Sequence, residues 1–251
     1  MKKVLYALVF LIALAVSLYL TFPFERFIGN YLCEKGVEYE KVEFHRFPPA
    51  VVIEKFKHPS FPLIVDKLEL QPVLSTLPKS QKEFHVVARL CNGKVVSDLT
   101  YPLKELTFKV DGINLRCLLK TEFKNVAGKL YGKGNLSFGD NGSSLIGGRG
   151  SFYTNDLKIS GLKFGIFTLP DVKVGKAKLD YVVKSKNYVE LKGTAVGKVD
   201  VKANGFMRVN LKDFGRTYLS LNARVVLKEG PFKNKPFKFR IAGYLSNLSV
   251  R

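Results

Sequence analysis

Alternation of apolar and polar residues is the feature that most constrains the fold of this chain. Between Val189 and Ala203 the odd-numbered positions are apolar or small, and the even-numbered positions are mostly polar or charged. The same alternation recurs over 130–138 and 219–227. Because successive side chains of a β-strand point to opposite faces of a sheet, this period of two predicts strands with one apolar and one polar face. Residues 37–251 are therefore predicted to form a mainly β domain.

Short turn sequences separate many of the predicted strands. Asn92-Gly93, Asp111-Gly112, Asp140-Asn141-Gly142 and Asn204-Gly205 all favour β-hairpins. Strands joined in this way form an antiparallel meander. The alternating stretch that begins at Val189 is either one long strand or a hairpin that turns near Gly197 and Lys198.

The apolar face of such a sheet needs cover, because each buried apolar side chain contributes about 1.5–3 kcal/mol. A second sheet, closure into a barrel or strong curvature would each supply it. We predict a strongly curled antiparallel meander sheet, a half-barrel or groove. The candidate groove lining is Leu191, Gly193, Ala195, Gly197 and Val199. The small residues in this set either let the sheet bend or leave room for an acyl chain.

The N-terminal region has a different character. No charged residue occurs between Lys3 and Glu25, and a helix needs roughly 20 apolar residues to cross a bilayer. We predict a cytoplasmic tail at 1–3 and a transmembrane helix at 4–24, with the remaining chain exported from the cytoplasm. A cleavable secretory signal is the alternative, since Ala15 to Ser17 provides a small-x-small site.

A short amphipathic helix is predicted at 25–36. Its apolar stripe begins one residue earlier and consists of Phe24, Phe27, Ile28, Tyr31 and Leu32. Gly36 favours the left-handed conformation in which many helices end. The stripe either caps the end of the sheet or lies on the membrane surface.

The composition is strongly basic. The chain carries 41 Lys and Arg residues against 21 Asp and Glu residues, a formal net charge of +20. For an exported domain this balance favours anionic lipid headgroups or an acidic protein as a partner rather than nucleic acid. The alternative is that the many Lys side chains solvate the outer face of the sheet and discourage edge pairing.

The three cysteines do not imply a disulfide framework, because their number is odd. Cys117 alternates in phase with Ile113 and Leu115, whereas Cys91 is out of phase with Leu90. Regular strands would place the two thiols on opposite faces. One disulfide pair remains possible, but buried or unpaired thiols are predicted for Cys33, Cys91 and Cys117.

No catalytic constellation is recognisable. His45, His58 and His85 lie in different predicted elements, and no His, Cys, Asp and Glu cluster has metal-ligand spacing. The sequence also lacks the Gly-x-Ser-x-Gly motif of many hydrolases. We predict no catalytic residue, no cofactor and no metal site, and hence a protein that is not an enzyme.

Several segments carry a resemblance to a known family. They are Phe22-Pro23-Phe24, Arg46-Phe47-Pro48, Leu68 to Pro72, Phe164 to Pro170, the strand pair from Val189 to Val201, and Tyr218 to Arg224. In these segments the chain resembles the type II secretion system protein N (GspN) family, which is itself similar to AsmA-like β-groove proteins.

This resemblance implies a single-pass protein of the bacterial inner membrane with a cytoplasmic N-terminus and a periplasmic domain. It implies an accessory, non-enzymatic role in type II protein secretion, with the inner membrane and other secretion-system proteins as partners. The AsmA likeness implies an alternative role as a lipid-binding or lipid-transfer module, with phospholipid as the ligand.

Overall fold

The computed structural model describes residues 2–58, 61–118, 126–139, 142–159, 163–164, 167–168, 172–229 and 233–250. Its helices are α1 (Lys2–Thr21), α2 (Phe24–Glu34) and the single turn α3 (Leu115–Leu118). Short 3₁₀ turns occupy Leu74–Thr76 and Phe214–Arg216. The predicted turn at Asp140-Asn141-Gly142 and the family-like segment from Phe164 to Pro170 lie partly outside the described residues.

Strands make up most of the described chain after α2. They are β1 (Lys41–Arg46), β2 (Pro49–His58), β3 (Phe61–Pro72), β4 (Lys82–Leu90), β5 (Gly93–Tyr101), β6 (Glu105–Asn114), β7 (Val126–Ala127), β8 (Lys129–Gly139), β9 (Ser144–Ile159), β10 (Lys163–Phe164), β11 (Phe167–Thr168), β12 (Val172–Ser185), β13 (Tyr188–Val196), β14 (Val199–Arg208), β15 (Tyr218–Leu227), β16 (Pro236–Tyr244) and β17 (Asn247–Val250). The prediction of a mainly β, antiparallel fold is confirmed.

The strands pair almost entirely in chain order. The main sheet runs β1-β2-β3-β4-β5-β6-β8-β9-β12-β13-β14-β15-β16-β17, with β7 added beside β9 and β10 paired with β11 in a separate small hairpin. Every neighbouring pair is antiparallel, because short connections join consecutive strands. Within the described residues, β1 and β17 lie at opposite ends of this order and do not pair.

Register gives the sheet one apolar and one polar face. In its second half the apolar face carries the row Tyr181, Leu191, Gly205, Leu221 and Ile241. The polar face carries the row Asp180, Lys192, Asn204, Asn222 and Arg240. The alternation in the sequence therefore corresponds to the two faces of the sheet.

Aromatic rings packed over glycines form the middle of the apolar face. Phe108 stacks on Phe152 with ring centroids 5.7 Å apart, and Tyr181 lies 6.1 Å from Phe152. A Cβ atom on Gly132 would lie 2.5 Å from the Phe152 ring, and one on Gly150 would lie 2.5 Å from the Tyr181 ring. The absence of side chains at these glycines therefore makes room for the rings of neighbouring strands.

The prediction of a strongly curled half-barrel or groove is wrong, because the sheet is open and not strongly curled. The physical reason lies in how the apolar side chains are covered. The large rings of Phe108, Phe152 and Tyr181 lean across adjacent strands and bury one another and their aliphatic neighbours. Much of the apolar surface is thus removed from water without wrapping the sheet around it.

The predicted transmembrane helix at 4–24 is also wrong. Among the helices that the structure describes, none combines the length and the apolar character needed to span a membrane. The uncharged stretch is not one helix: α1 ends at Thr21, and Pro23 precedes α2. Proline restricts the residue before it to extended conformations, so the helix ends before Phe22.

Cys91 and Cys117 form a disulfide with a Cα–Cα distance of 5.5 Å, which corrects the prediction of unpaired thiols. Cys91 lies in the β4–β5 turn with a φ of 50°, and Cys117 lies in α3. Because neither residue is in a regular strand, the alternation argument did not apply to them. Cys33 is a free, exposed cysteine.

Replacing Gly150 by Ala should destabilise the sheet. The new Cβ would lie 2.5 Å from the Tyr181 ring and 2.6 Å from the Lys133 carbonyl oxygen, and backbone atoms cannot move aside easily. We expect a loss of about 1–3 kcal/mol in the free energy of unfolding, measured by chemical denaturation. Gly147→Ala is the matched control, because its Cβ would lie 3.5 Å from Ser137, an ordinary contact. Equal stability of the two variants would contradict the ring-over-glycine packing.

Removing the disulfide should lower the free energy of unfolding, because the bond restricts the conformations of the unfolded chain. The bond links residues 26 positions apart, and closing such a loop contributes about 3 kcal/mol. The double variant Cys91→Ser/Cys117→Ser should unfold at a correspondingly lower denaturant concentration. Cys33→Ser should leave the midpoint unchanged, since that thiol is not bonded. A double variant as stable as the unsubstituted protein would show that the bond does not constrain the chain.

Candidate functional site

The end of α1 joins the sheet through a cluster of aromatic rings, here called the aromatic corner. Tyr19 contacts Phe24, Phe44 and Phe47, with ring centroids 5.6, 6.4 and 5.8 Å away. Phe24 also lies 4.3 Å from Phe44 and 4.7 Å from Phe22. Rings from α1, α2, β1 and the β1–β2 turn thus meet at one edge of the sheet.

Hydrogen bonds tie the same corner together. The Tyr19 hydroxyl donates to the carbonyl oxygen of Arg46 at 2.8 Å, and Arg46 donates through Nη2 to the Phe22 carbonyl oxygen at 3.3 Å. The Phe44 N–H donates to Oε1 of Glu25 at 3.3 Å. These bonds join residues 19 to 27 positions apart, so they fix how both helices leave the sheet.

The predicted stripe of α2 divides between two environments. Phe24, Ile28 and Leu32 are half-buried, and α2 packs against β1. Phe27 and Tyr31 are 64% and 55% exposed. The stripe thus includes residues that cap the edge of the sheet and an aromatic pair that remains open to a partner.

The candidate groove lining is placed as follows. Leu191, Gly193 and Ala195 share the apolar face of β13, and Val199 begins β14. Leu191, Ala195 and Val199 are buried. Gly197 lies in the turn between the two strands, where a Cβ would overlap the Val174 carbonyl oxygen. Its lack of a side chain serves a close backbone approach, and the stretch forms a hairpin rather than one long strand.

The polar face carries exposed ion pairs. Glu190 lies 3.3 Å from Nζ of Lys192 and 3.4 Å from Nζ of Lys184. Hydrogen bonds from Lys192 and then Lys184 lower the pKa of the Glu190 carboxyl. Because both Lys side chains are exposed and Glu190 is only half-buried, water screens these pairs and they add little to stability.

Among the described residues, the side chain with the most strongly shifted pKa lies at the centre of the sheet. Burial raises the pKa of Tyr181 to about 12, and its hydroxyl donates to the Asn135 carbonyl oxygen at 3.1 Å. The folded chain therefore favours the neutral phenol. Its contribution to stability is present below the ordinary pKa of 10.0 and is lost as the pH rises towards 12.

The histidines do not converge on one site. Nδ1 of His85 lies 2.7 Å from Oδ1 of Asp98 across the β4–β5 pair, and His45 lies 3.7 Å from Glu43 on β1. Within the described residues, no group of three or more His, Cys, Asp and Glu side chains could hold a metal ion. The described surface exposes cationic, amide and aromatic side chains.

Sequence reasoning named Phe24 but missed the other rings that Tyr19 brings together in the aromatic corner. Tyr19 was placed in the predicted transmembrane helix, whereas its side chain contacts the sheet. Phe47 is 78% exposed in the turn between β1 and β2. The available signal was the repeated Phe-Pro pairing at Phe22-Pro23 and Phe47-Pro48, which places an aromatic ring beside the α1–α2 junction and the β1–β2 turn.

Comparison of the chain with protein-family models, curated proteins and solved structures finds no match.

Tyr19→Phe should loosen the aromatic corner while keeping its ring contacts. Loss of the hydrogen bond to the Arg46 carbonyl oxygen should cost about 1 kcal/mol and speed amide hydrogen exchange in β1 and the start of α2. Tyr153→Phe is the matched control, because this exposed ring stacks on Tyr131. Unchanged exchange near Arg46 in Tyr19→Phe would show that the hydrogen bond does not hold the corner.

Proposed function

We propose that this protein is a non-enzymatic accessory component of a bacterial type II secretion system and acts at the periplasmic side of the inner membrane. The proposal joins the family-like segments of the sequence to the architecture of the chain. Its role is to bind other proteins of the secretion system and hold them near the membrane.

The aromatic corner is the observation that carries the proposal. It fixes α1 to one edge of a broad sheet, yet the described apolar side chains of α1 stay open. Phe10, Leu11, Leu14, Val16 and Leu18 are between 45% and 67% exposed. Apolar surface of this extent marks contact with a hydrophobic partner, and the inner membrane with its proteins is the proposed one.

The disulfide supports export from the cytoplasm. Disulfides such as Cys91–Cys117 form and persist mainly in oxidising compartments, including the bacterial periplasm. The basic composition supports an acidic partner in the same compartment.

Surface architecture supports binding rather than catalysis. The described polar face presents shallow depressions lined by Lys, Arg, Asn and Tyr side chains. A scaffold protein could bind its partners through such surfaces. The alternative role in lipid transfer has less support, because its groove depends on strong curvature that the sheet lacks and most of its proposed lining is buried.

Affinity purification from detergent-solubilised envelopes tests the proposal. The tagged full chain should co-purify with secretion-system subunits and remain in the envelope fraction. Leu14→Gln/Leu18→Gln should reduce both, because it makes the open side of α1 polar without touching the sheet. Ser17→Gln, also exposed on α1, should behave like the unsubstituted protein.

Two outcomes would overturn the proposal. One is co-purification that yields no secretion-system subunit. The other is full envelope retention and partner recovery by Leu14→Gln/Leu18→Gln, which would show that α1 makes no functional contact.

A further inference from the structure

A run of unneutralised cations crosses the polar face at the C-terminal end of the sheet. Register places Lys202, Arg224 and Lys238 directly opposite one another on β14, β15 and β16. Like charges in such positions repel each other. In the part of the chain that the structure describes, none of these three side chains forms an ion pair. The arrangement therefore leaves a repulsion that an anionic ligand would relieve.

Three adjoining depressions connect this row to the end of the sheet. One of about 710 Å³ lies among Lys202, Arg224, Lys238 and Arg240. A second of about 350 Å³ shares Arg240 with the first and is also lined by Tyr218. The third, described next, begins at the same Tyr218. The shared lining residues place the three depressions side by side, and together they are here called the basic track.

The third depression, of about 650 Å³, supplies the far end of the basic track. The cations that line it are Arg208, Lys212 and Arg216. Arg216 contacts Asp213 at 3.2 Å, which leaves the depression with a net positive charge. Tyr218 and Tyr244 complete its wall, with ring centroids 5.7 Å apart.

Hydrogen bonds hold the β14–β15 loop in shape around this depression. Oδ1 of Asn210 accepts from the N–H groups of Lys212 and Asp213, and the hydroxyl oxygen of the fully buried Thr217 accepts from the Asn210 N–H. Oδ1 of Asn187 accepts from the Leu145 N–H. The loop is thus preorganised, which lowers the entropy lost when a ligand binds.

Side chains along the basic track match a ligand that has both acidic groups and hydroxyl groups. Lys and Arg donate to carboxylates or phosphates, whereas Asn and Tyr exchange hydrogen bonds with hydroxyls. Asn204 and Asn222 line the first depression, and Asn187 and Asn210 line the third. The side-chain oxygen of Asn187 accepts from Leu145 of β9, and that of Asn210 accepts within the β14–β15 loop, so the amide nitrogens of both remain as donors.

The geometry disfavours other long anions. The backbone groups of β14 and β15 are already paired within the sheet, so an extended peptide would gain no main-chain ladder along the track. Tyr188 stacks on Phe206 with centroids 5.3 Å apart, and Phe206 lies 6.2 Å from Tyr218. These three rings cover one another in part, and Tyr244 beside them is 54% exposed. One open ring does not provide the series of platforms on which successive nucleic-acid bases stack.

We propose that the basic track binds an acidic polysaccharide, a linear glycan with carboxylate or phosphate groups. The glycan would lie across β14, β15 and β16, with its acidic groups on the two cationic ends and its hydroxyls on the Asn and Tyr side chains. This site does not depend on the proposed role in secretion.

Calorimetric titration of the detergent-solubilised full chain tests the proposal. The probes are oligogalacturonate, a length-matched neutral maltooligosaccharide and a length-matched oligoglutamate. Oligogalacturonate should bind, and its affinity should fall with added salt; the neutral glycan should not bind, and oligoglutamate should bind more weakly.

Charge reversal within the track should abolish this preference. Lys212→Glu/Arg240→Glu should weaken oligogalacturonate binding by about tenfold or more. The control Lys79→Glu/Lys158→Glu makes the same change in net charge at exposed positions outside the track and should alter affinity by less than about twofold. Thermal melting midpoints that match the midpoint of the unsubstituted protein would establish that both variants remain folded.

Three results would overturn the proposal. Equal weakening by the control would assign binding to net charge rather than to the track. Tighter binding of oligoglutamate would assign the track to an acidic peptide. Failure of oligogalacturonate to bind would remove the acidic glycan as the ligand.

Discussion

The described apolar face of this sheet is covered mainly by its own side chains, and the architecture depends on that constraint. Phe108, Phe152 and Tyr181 meet it by leaning over glycines of adjacent strands, so that one ring shields its neighbour. Each glycine weakens its own strand through lost side-chain contacts, and each ring offsets that weakness by burying more than one strand. This packing of rings over glycines lets a single sheet extend over fourteen paired strands without closing.

The two ends of the sheet have opposite surface chemistry. At the β1 end, the aromatic corner holds an apolar helix whose described side chains are largely exposed. At the β14–β16 end, the basic track presents cations and amides. With strands spaced about 4.8 Å apart, these two regions are separated by roughly 50 Å. A protein with this arrangement can contact a hydrophobic partner and a charged partner at the same time.

Alternation in the sequence was sufficient to predict the strands and the two faces, and the turn sequences between them predicted the antiparallel pairing. Local turn signals were less reliable, because tertiary pairing overrides them. Asn204-Gly205 lies within β14, where uninterrupted pairing with β13 and β15 outweighs the preference of this dipeptide for a turn. Asp111-Gly112 marks a shift of register in β6 rather than a hairpin. The basic track could not be predicted, because its members come from strands whose relative register the sequence does not state.

Chain order and spatial order coincide along almost the whole sheet, and this has a mechanical consequence. Each strand is held chiefly by the strands before and after it in the sequence. A pulling force applied at the two ends would act first on the outermost hairpins, and the strands would then separate one after another. The disulfide between the β4–β5 turn and α3 would interrupt this stepwise separation, because the chain between Cys91 and Cys117 cannot be extended while the bond is intact.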